Sequence, residues 1–233
     1  MPLHLRPSTA YAEDALLPGD PGRALALAQQ LLTEPRMSNH ARGLWGYTGE
    51  TPDGHRLSIQ STGMGGPSAA IVLHELAELG VRRAIRVGTC GALADGLAHG
   101  DLIVASEALA EDGASRALGA NEVAKPDPDL TSRVSGALPG APAPVRIVST
   151  DLFYAGDTDA EARTGDWRQR GAVAVEMEAT TLFALGGRLG LATACILAVS
   201  DTFEGGRRHR IGDEELAEAV TRMGSAAAAA LGG

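Results

Sequence analysis

The 233-residue chain has little cysteine, few aromatic residues and no excess of positive charge, and each shortage removes a class of protein. Its two cysteines, Cys90 and Cys195, sit in apolar, strand-like stretches. Two thiols in a chain of this length make no disulfide framework and point to a reducing compartment. No CxxC pair or His/Cys cluster is present, so no metal is expected. Aromatics make up 3% of the residues against a hydrophobic fraction of 44%, so the core has to be built from Ala, Val, Leu and Ile. A net charge of −9 argues against a nucleic-acid partner. It leaves room for a small anionic substrate, because a few local arginines set the field of one pocket. No apolar run has the length of a membrane span, and Met1–Pro7 holds no apolar core of a signal peptide. A cytoplasmic protein without a membrane partner is expected. No repeat or linker divides the chain, so a single domain over 1–233 is expected.

Short apolar runs alternate with helical patterns, which indicates an α/β fold. The most informative junction is Val173–Leu185, where a β-branched run carrying Glu176, Met177 and Glu178 gives way to helical spacing. Such a junction lies at the carboxyl end of a sheet, where small ligands bind. On extended backbone Glu176 and Glu178 point the same way and Met177 the other. A carboxylate there can accept from both hydroxyls of a sugar diol, or simply sit at a helix N-terminus.

Leu16–Arg23 suggests a strand end, a turn and a helix capped by Asp20 with Pro21 in its first turn, running to about Glu34. Gly19 and the first amides form a possible anion site with Arg23 one turn in, or an ordinary capped helix. Gly43–Glu50 and Arg56–Ser61 flank Thr51-Pro52-Asp53-Gly54 as a β-hairpin, with Arg42 just before it. Ser61–Ser68 is a glycine loop between a strand and a helix; it matches neither GxGxxG nor a P-loop, and its Met64 reads equally as core. Arg86, inside the apolar strand Ala84–Ala92 and followed by Gly88-Thr89-Cys90-Gly91, points to an anion at the strand's end, unless the strand is an edge. Residues 110–144 read as a weak helix near Asp129–Leu138 and otherwise loop. Phe153 and Tyr154, at the end of the strand Val145–Thr150, can stack on a planar ring or cap the core. Ala194–Asp201 is an apolar strand ending in an acid, and burial that raises its pKa makes Asp201 a candidate proton donor. Glu204–Gly212 reads as a basic loop beside it. The last helix spans Asp213–Leu231, with Ala226–Ala230 on the surface.

Five motifs in order resemble those of the nucleoside phosphorylase family, in particular the hexameric bacterial purine nucleoside and uridine phosphorylases: Pro18–Ala24, Ser61–Ser68, Arg86–Ala92, Val175–Ala179 and Val199–Asp201. The resemblance implies a single-domain three-layer α/β/α sandwich with a mixed central β-sheet. It implies that phosphate, a co-substrate, is held by Gly19, Arg23, Arg86 and Thr89. Arg42 and His4 would come from a neighbouring subunit, His4 meeting the ribose 5′-hydroxyl. Glu178 would hold the 2′- and 3′-hydroxyls with help from Met177, and Met64 would pack on the sugar. Phe153 would stack on the base near Cys90, Gly91, Val175, Glu176 and Ser200. Asp201 would protonate purine N7, assisted by one of Arg207, Arg208 and Arg210, of which Arg210 is preferred. No metal or organic cofactor is implied, and the assembly would be a homohexamer, a trimer of dimers with shared sites. Uridine phosphorylases carry a Gln and an Arg shortly after the Phe-Tyr pair; residues 155–159 hold neither, and Asp201 is kept, so purine nucleosides are the expected substrates. The alternatives are a uridine phosphorylase or a phosphate-independent nucleosidase of the same fold. The second would not need Arg23, Arg42 and Arg86 together.

Overall fold

Strand β5, Arg83–Ala92, is the axis of the fold, and it reaches three neighbours. The computed structural model describes residues 2–154, 160–204 and 207–232. Its other strands are β1 (Asp14–Leu17), β2 (Thr33–Asn39), β3 (Gly46–Glu50), β4 (Arg56–Gln60), β6 (Leu102–Glu111), β7 (Val123–Ala124), β8 (Val145–Thr150), β9 (Ala174–Glu176), β10 (Ala192–Glu204) and β11 (Arg207–Arg210). The helices are α1 (Pro21–Leu31), α2 (Gly66–Glu78), α3 (Gly113–Ala117), α4 (Pro128–Gly136), α5 (Ala160–Gln169), α6 (Ala179–Leu189) and α7 (Asp213–Gly232).

The sheet is mixed. Parallel β5–β1–β4 continues through the antiparallel hairpin β4–β3 to β2 at the edge. On its other side β5 pairs with β10 in parallel and with β9 antiparallel. The pairings β10–β6, β6–β8 and β8–β9 then close a ring of five strands. The ring draws β5, β9 and β10 together; Arg86, Glu176 and Asp201 lie on these strands, and Glu178 at the junction of β9 and α6.

Strand alternation explains the helix positions. Leu16, Ile85 and Val87 enter one apolar cluster with residues of α1, α4 and α7. Ala15, Leu17 and Ala84 enter another with residues of α2 and α6. Helices therefore cover both faces of β1 and β5. Ala226, Ala227 and Ala230 belong to the first cluster, so the alanine run is not a surface feature. A methyl at Gly224 would lie 2.3 Å from Leu27, and small residues on α7 are what let it approach α1 this closely.

Three local expectations change. Helix α1 stops at Leu31 rather than near Glu34, and Thr33–Asn39 forms edge strand β2. Pro35 is tolerated there because an edge strand with a register shift between Thr33 and Arg36 does not need its missing N–H. Residues 110–144 are more ordered than their composition suggests, with α3, β7 and α4 in sequence. Finally, the basic segment after Asp201 is strand β11, paired antiparallel to β10, and not a loop. Among the described residues no helix is long and apolar enough to cross a membrane.

Candidate functional site

Arg86 is buried in the middle of the sheet, between two carboxylates. Its Nε donates to Glu176 Oε2 at 2.8 Å, and its Nη2 lies 2.5 Å from Glu178 Oε2. Gly88 makes this possible. It shares the Arg86 face of β5, and a Cβ there would stand 2.7 Å from the guanidinium carbon. Burial alone would lower the Arg86 pKa, but Glu178 and Glu176 raise it above the ordinary arginine value. The guanidinium is therefore a fixed cation.

One nitrogen of that cation is uncommitted. Nη1 of Arg86 is buried without a hydrogen-bond partner among the described residues, and so is Nη1 of Arg23. Arg23 is held at the start of α1, where Asp20 caps the helix by accepting from the Arg23 amide at 2.8 Å. Its Nη2 lies 3.9 Å from where a Cβ on Gly19 would be. The Arg23 pKa is lowered, first by burial and then by the charge of Arg86. A buried donor left unpaired costs about 1–3 kcal/mol. An anion is the partner that such donors on mutually repelling cations lack, and guanidinium groups suit phosphate.

Glu176 and Glu178 divide the work. Glu176 accepts from Arg86 Nε, the Ser149 hydroxyl, and the amides of Glu178 and Ala179 at 2.9 and 3.0 Å. Its carboxylate thus closes the N-terminus of α6 and grips Arg86. Both of its oxygens are occupied by these donors. Among the described residues, Glu178 accepts from the Gly65 amide and Arg86. Burial raises its pKa and Glu176 adds to that, against the pull of Arg86. A carboxylate offers about four lone-pair directions, so Glu178 keeps acceptor capacity for hydroxyls.

Asp201 lies on β10 beside a register shift. Val199 pairs with Cys90 and Asp201 with Gly91, leaving Ser200 as the extra residue. A bulge of this kind re-aims the side chain that follows it. The space above Gly91 is bounded by Val175, Phe203 and Asp201. Asp201 is buried; its Oδ1 accepts from Arg208 Nε at 2.7 Å, and its Oδ2 from the Ser200 hydroxyl at 2.7 Å. Arg210 stands farther away, with Nη1 at 3.6 Å. The geometry therefore favours Arg208 over Arg210 as the partner of the acid. The Arg207 side chain lies outside the described residues. Burial raises the Asp201 pKa, as expected, but the bonds from Arg208 and Ser200 outweigh it and the net shift is downward. In the free protein Asp201 is a carboxylate. Arg208 also lies over the Phe153 ring, 4.2 Å from its centroid.

The remaining expected residues fall into two groups. Thr89, Cys90, Gly91 and Val175 lie on β5 and β9 at the edge of this space. Cys90 and Cys195 are free thiols, and burial pushes both pKa values up, which makes them inert. Met177, half-buried, lies between the two glutamates, and Met64 is 87% exposed on the loop before α2. His4 and Arg42 are not brought to the cluster within one chain: His4 is bound to Glu75, and Arg42 is exposed in a turn with φ 59°. The segment 155–159 lies outside the described residues. Sequence reasoning missed Glu75, Ser149, Gly65 and Gly88 in these roles, and among its three candidate arginines preferred Arg210 to Arg208, which holds the acid here. A strand pattern two residues either side of Arg86 was a usable signal for Gly88; the others act through tertiary contacts.

A cavity of about 610 Å³ opens away from this cluster, lined by Tyr11, Asp14, His55, Arg56 and Arg83 among others. Its central charges are already matched, since Arg83 grips Asp14 through two 2.7 Å bonds. The arginine–glutamate cluster, with open donors and a nearby acid, is the better candidate. No group of His, Cys, Asp and Glu suited to a metal ion is found among the described residues.

Residues 13–232 match the profile of the phosphorylase superfamily. The chain is 40% identical over 197 residues to a DeoD-type purine nucleoside phosphorylase of Clostridium novyi, covering 82% of this chain and 83% of that one. It is 37% identical over 214 residues to a protein of the same description from Clostridium beijerinckii, covering 87% of each. A third, from Bacillus thuringiensis, is 37% identical over 196 residues, 82% of each chain. A match that runs through the arginine–glutamate cluster and the buried acid alike means that the chain belongs to the phosphorylase superfamily.

Proposed function

We propose that the protein is a purine nucleoside phosphorylase, converting a purine nucleoside and phosphate reversibly to free base and pentose 1-phosphate. The observation that carries this reading is the pair of uncommitted buried nitrogens on Arg23 and Arg86, next to a Glu178 carboxylate with lone pairs to spare. A dianion between the arginines and a diol on Glu178 bring a phosphate oxygen to the anomeric carbon. That oxygen forms a bond to C1′ as the C1′–N9 bond breaks, and the electron pair leaves with the base. Phosphate stabilises the positive charge on the ribose, and holding it in place makes attack effectively unimolecular.

The departing purine needs a proton at N7, and Asp201 supplies it. Burial already pushes this carboxyl toward protonation, and chiefly Arg208 and Ser200 hold it down. A base entering over Phe153 displaces Arg208 from the ring, weakens the bond to Asp201 and lets its pKa rise, so that the carboxylate takes a proton from solvent and then passes it to N7. General acid catalysis of this kind contributes roughly 10²–10⁴ in rate. No metal or organic cofactor enters the scheme. Retention of Asp201 and the absence of a Gln and an Arg at 155–159 support purine over uracil.

The working unit is a homohexamer, a trimer of dimers in the cytoplasm, with Arg42 and His4 completing a neighbour's site. Exposed Leu3, Met64, Leu152 and Tyr154 support a covered surface. The helices on both faces of β1 and β5 support a three-layer α/β/α sandwich, with the whole chain 1–233 as one domain.

The test is a turnover panel of inosine, guanosine, adenosine and uridine, with and without phosphate. Phosphate-dependent release of purine is expected. Release without phosphate would identify a nucleosidase, and preference for uridine a pyrimidine enzyme. Mixing and reassembling inactive Arg42→Ala and Arg86→Ala chains should restore part of the activity, since some hybrid sites hold both arginines.

A further inference from the structure

Glu75 lies outside the cluster described above, yet it is a buried carboxylate held by an unusual set of donors. It sits on α2 and accepts the backbone amides of Leu3 and His4 at 3.0 Å and of Leu5 at 2.6 Å. It is also 2.7 Å from Nδ1 of the His4 ring. Burial works to raise its pKa, but the Leu5 amide, the His4 ring and the neighbouring amides bring it down to about 2. Glu75 is thus ionised at any ordinary pH and can only accept.

Two consequences follow for His4. Three successive amides tied to one carboxylate fix the backbone of the segment. The fourth bond requires the proton on Nδ1, so Nε2 is the nitrogen left free, because one ring nitrogen's bond sets the state of the other. The His4 ring is part-exposed at this position. Helix α2 also carries, at its N-terminal end, the Gly65 amide that binds Glu178. One rigid element therefore supports the diol-binding carboxylate of its own site and, nearly three turns on, the anchor of a histidine directed elsewhere.

We propose that Glu75 is a positioning residue for the ribose, holding His4 with Nε2 presented to the nucleoside 5′-hydroxyl in a neighbouring copy. The inference rests on the proposed function and on the assignment of His4 to a neighbour's site. A mere staple for the N-terminal segment would affect every nucleoside alike. A positioning role confines the loss to substrates that possess the 5′-hydroxyl.

The experiment compares inosine with 5′-deoxyinosine at saturating phosphate, using the full-length protein and its Glu75→Gln, Glu75→Asp, His4→Ala and Glu75→Gln/His4→Ala variants. Carboxylates that orient a metal-ligating histidine change affinity or activity by about 10–100-fold, and the lower end of that range is expected for this histidine. Glu75→Gln should lower kcat/KM for inosine about tenfold while changing 5′-deoxyinosine less than about twofold. His4→Ala should do the same, and the double variant should be no worse than His4→Ala alone. If the Gln variant does not fold, the Asp variant, which keeps the charge but shortens its reach, carries the same comparison. Equal losses on both substrates, or losses that multiply in the double variant, would overturn the proposal. An unaltered protein that consumes no phosphate refutes the function itself. Full discrimination in both Glu75 variants, with phosphate consumption intact, refutes only the role of Glu75.

Discussion

The Arg86 cluster and the Asp201 cluster lie on the paired strands β5 and β10 but are built on opposite plans. Around Arg86, charge is buried, matched two carboxylates to one guanidinium, and locked by helix amides and a serine. Around Asp201, Arg208 on β11 spans the acid and the exposed ring of Phe153, which follows β8. The first arrangement is preorganised, so a ligand meets donors that need not move. The second is adjustable, so entry of a base can change the protonation of the acid. A reaction in which phosphate must be held still while a proton moves to the base calls for both.

That contrast breaks most severely at Arg86. Arg86→Ala leaves Glu176 and Glu178 buried without their cation, and removing one partner of a buried pair costs about 3–5 kcal/mol. Denaturant unfolding should show that loss, and the phosphate KM should rise steeply while base binding survives in whatever folds. An unchanged phosphate KM would remove Arg86 from the anion site.

Asp201→Asn should lower kcat on inosine by roughly 10²–10⁴. A nucleoside whose base leaves without protonation should be spared, and equal losses on the two would mean that Asp201 donates no proton. Gly88→Ala tests the rigid side with a single methyl. Placed 2.7 Å from the Arg86 guanidinium, it should destabilise by about 1–3 kcal/mol and weaken phosphate binding together. A stable variant with normal phosphate affinity would show that the guanidinium has room to move.

The smallest effect, and the one that sharpens the contrast, is a pH shift. Asp201 has a lowered pKa in the folded chain, so its contribution to stability is present above the ordinary carboxylate range and is lost as pH falls through the lowered value. Arg208→Gln removes the largest opposing bond, so the Asp201 pKa should rise and the loss should begin at higher pH. Titrating Asp201 by NMR in both proteins, between about pH 2 and 6, measures this. An unmoved titration would show that Arg208 does not govern the acid.

The parts that could be read without coordinates are those where chemistry and local pattern coincide. Arg86 inside an apolar strand, two glutamates at a strand-to-helix junction and an acid ending a buried strand each violate a burial rule, and such violations mark sites. What stayed hidden depends on contacts between distant segments. Glu75 looks like one more polar residue on a helix until residues 3–5 fold onto it. Arg208 could not be chosen over Arg210 from an Arg-Arg-His-Arg run: the register of β11 sets Arg210 opposite Asp201, and only the side-chain bond shows that Arg208 holds the acid. Glu176 and Glu178 looked equivalent; only the donors around them show that one is saturated and the other open.

The order of residues by itself settled the α/β class, the aliphatic core and the list of charged groups without an obvious reason to be buried, because hydrophobic period and burial cost are local properties. It also set Gly88 two residues from Arg86, on the same face of the strand. Tertiary structure alone decided which charges meet. The five-strand ring brings β5, β9 and β10 together, and Coulomb and hydrogen-bond energies depend on those distances rather than on separation along the chain.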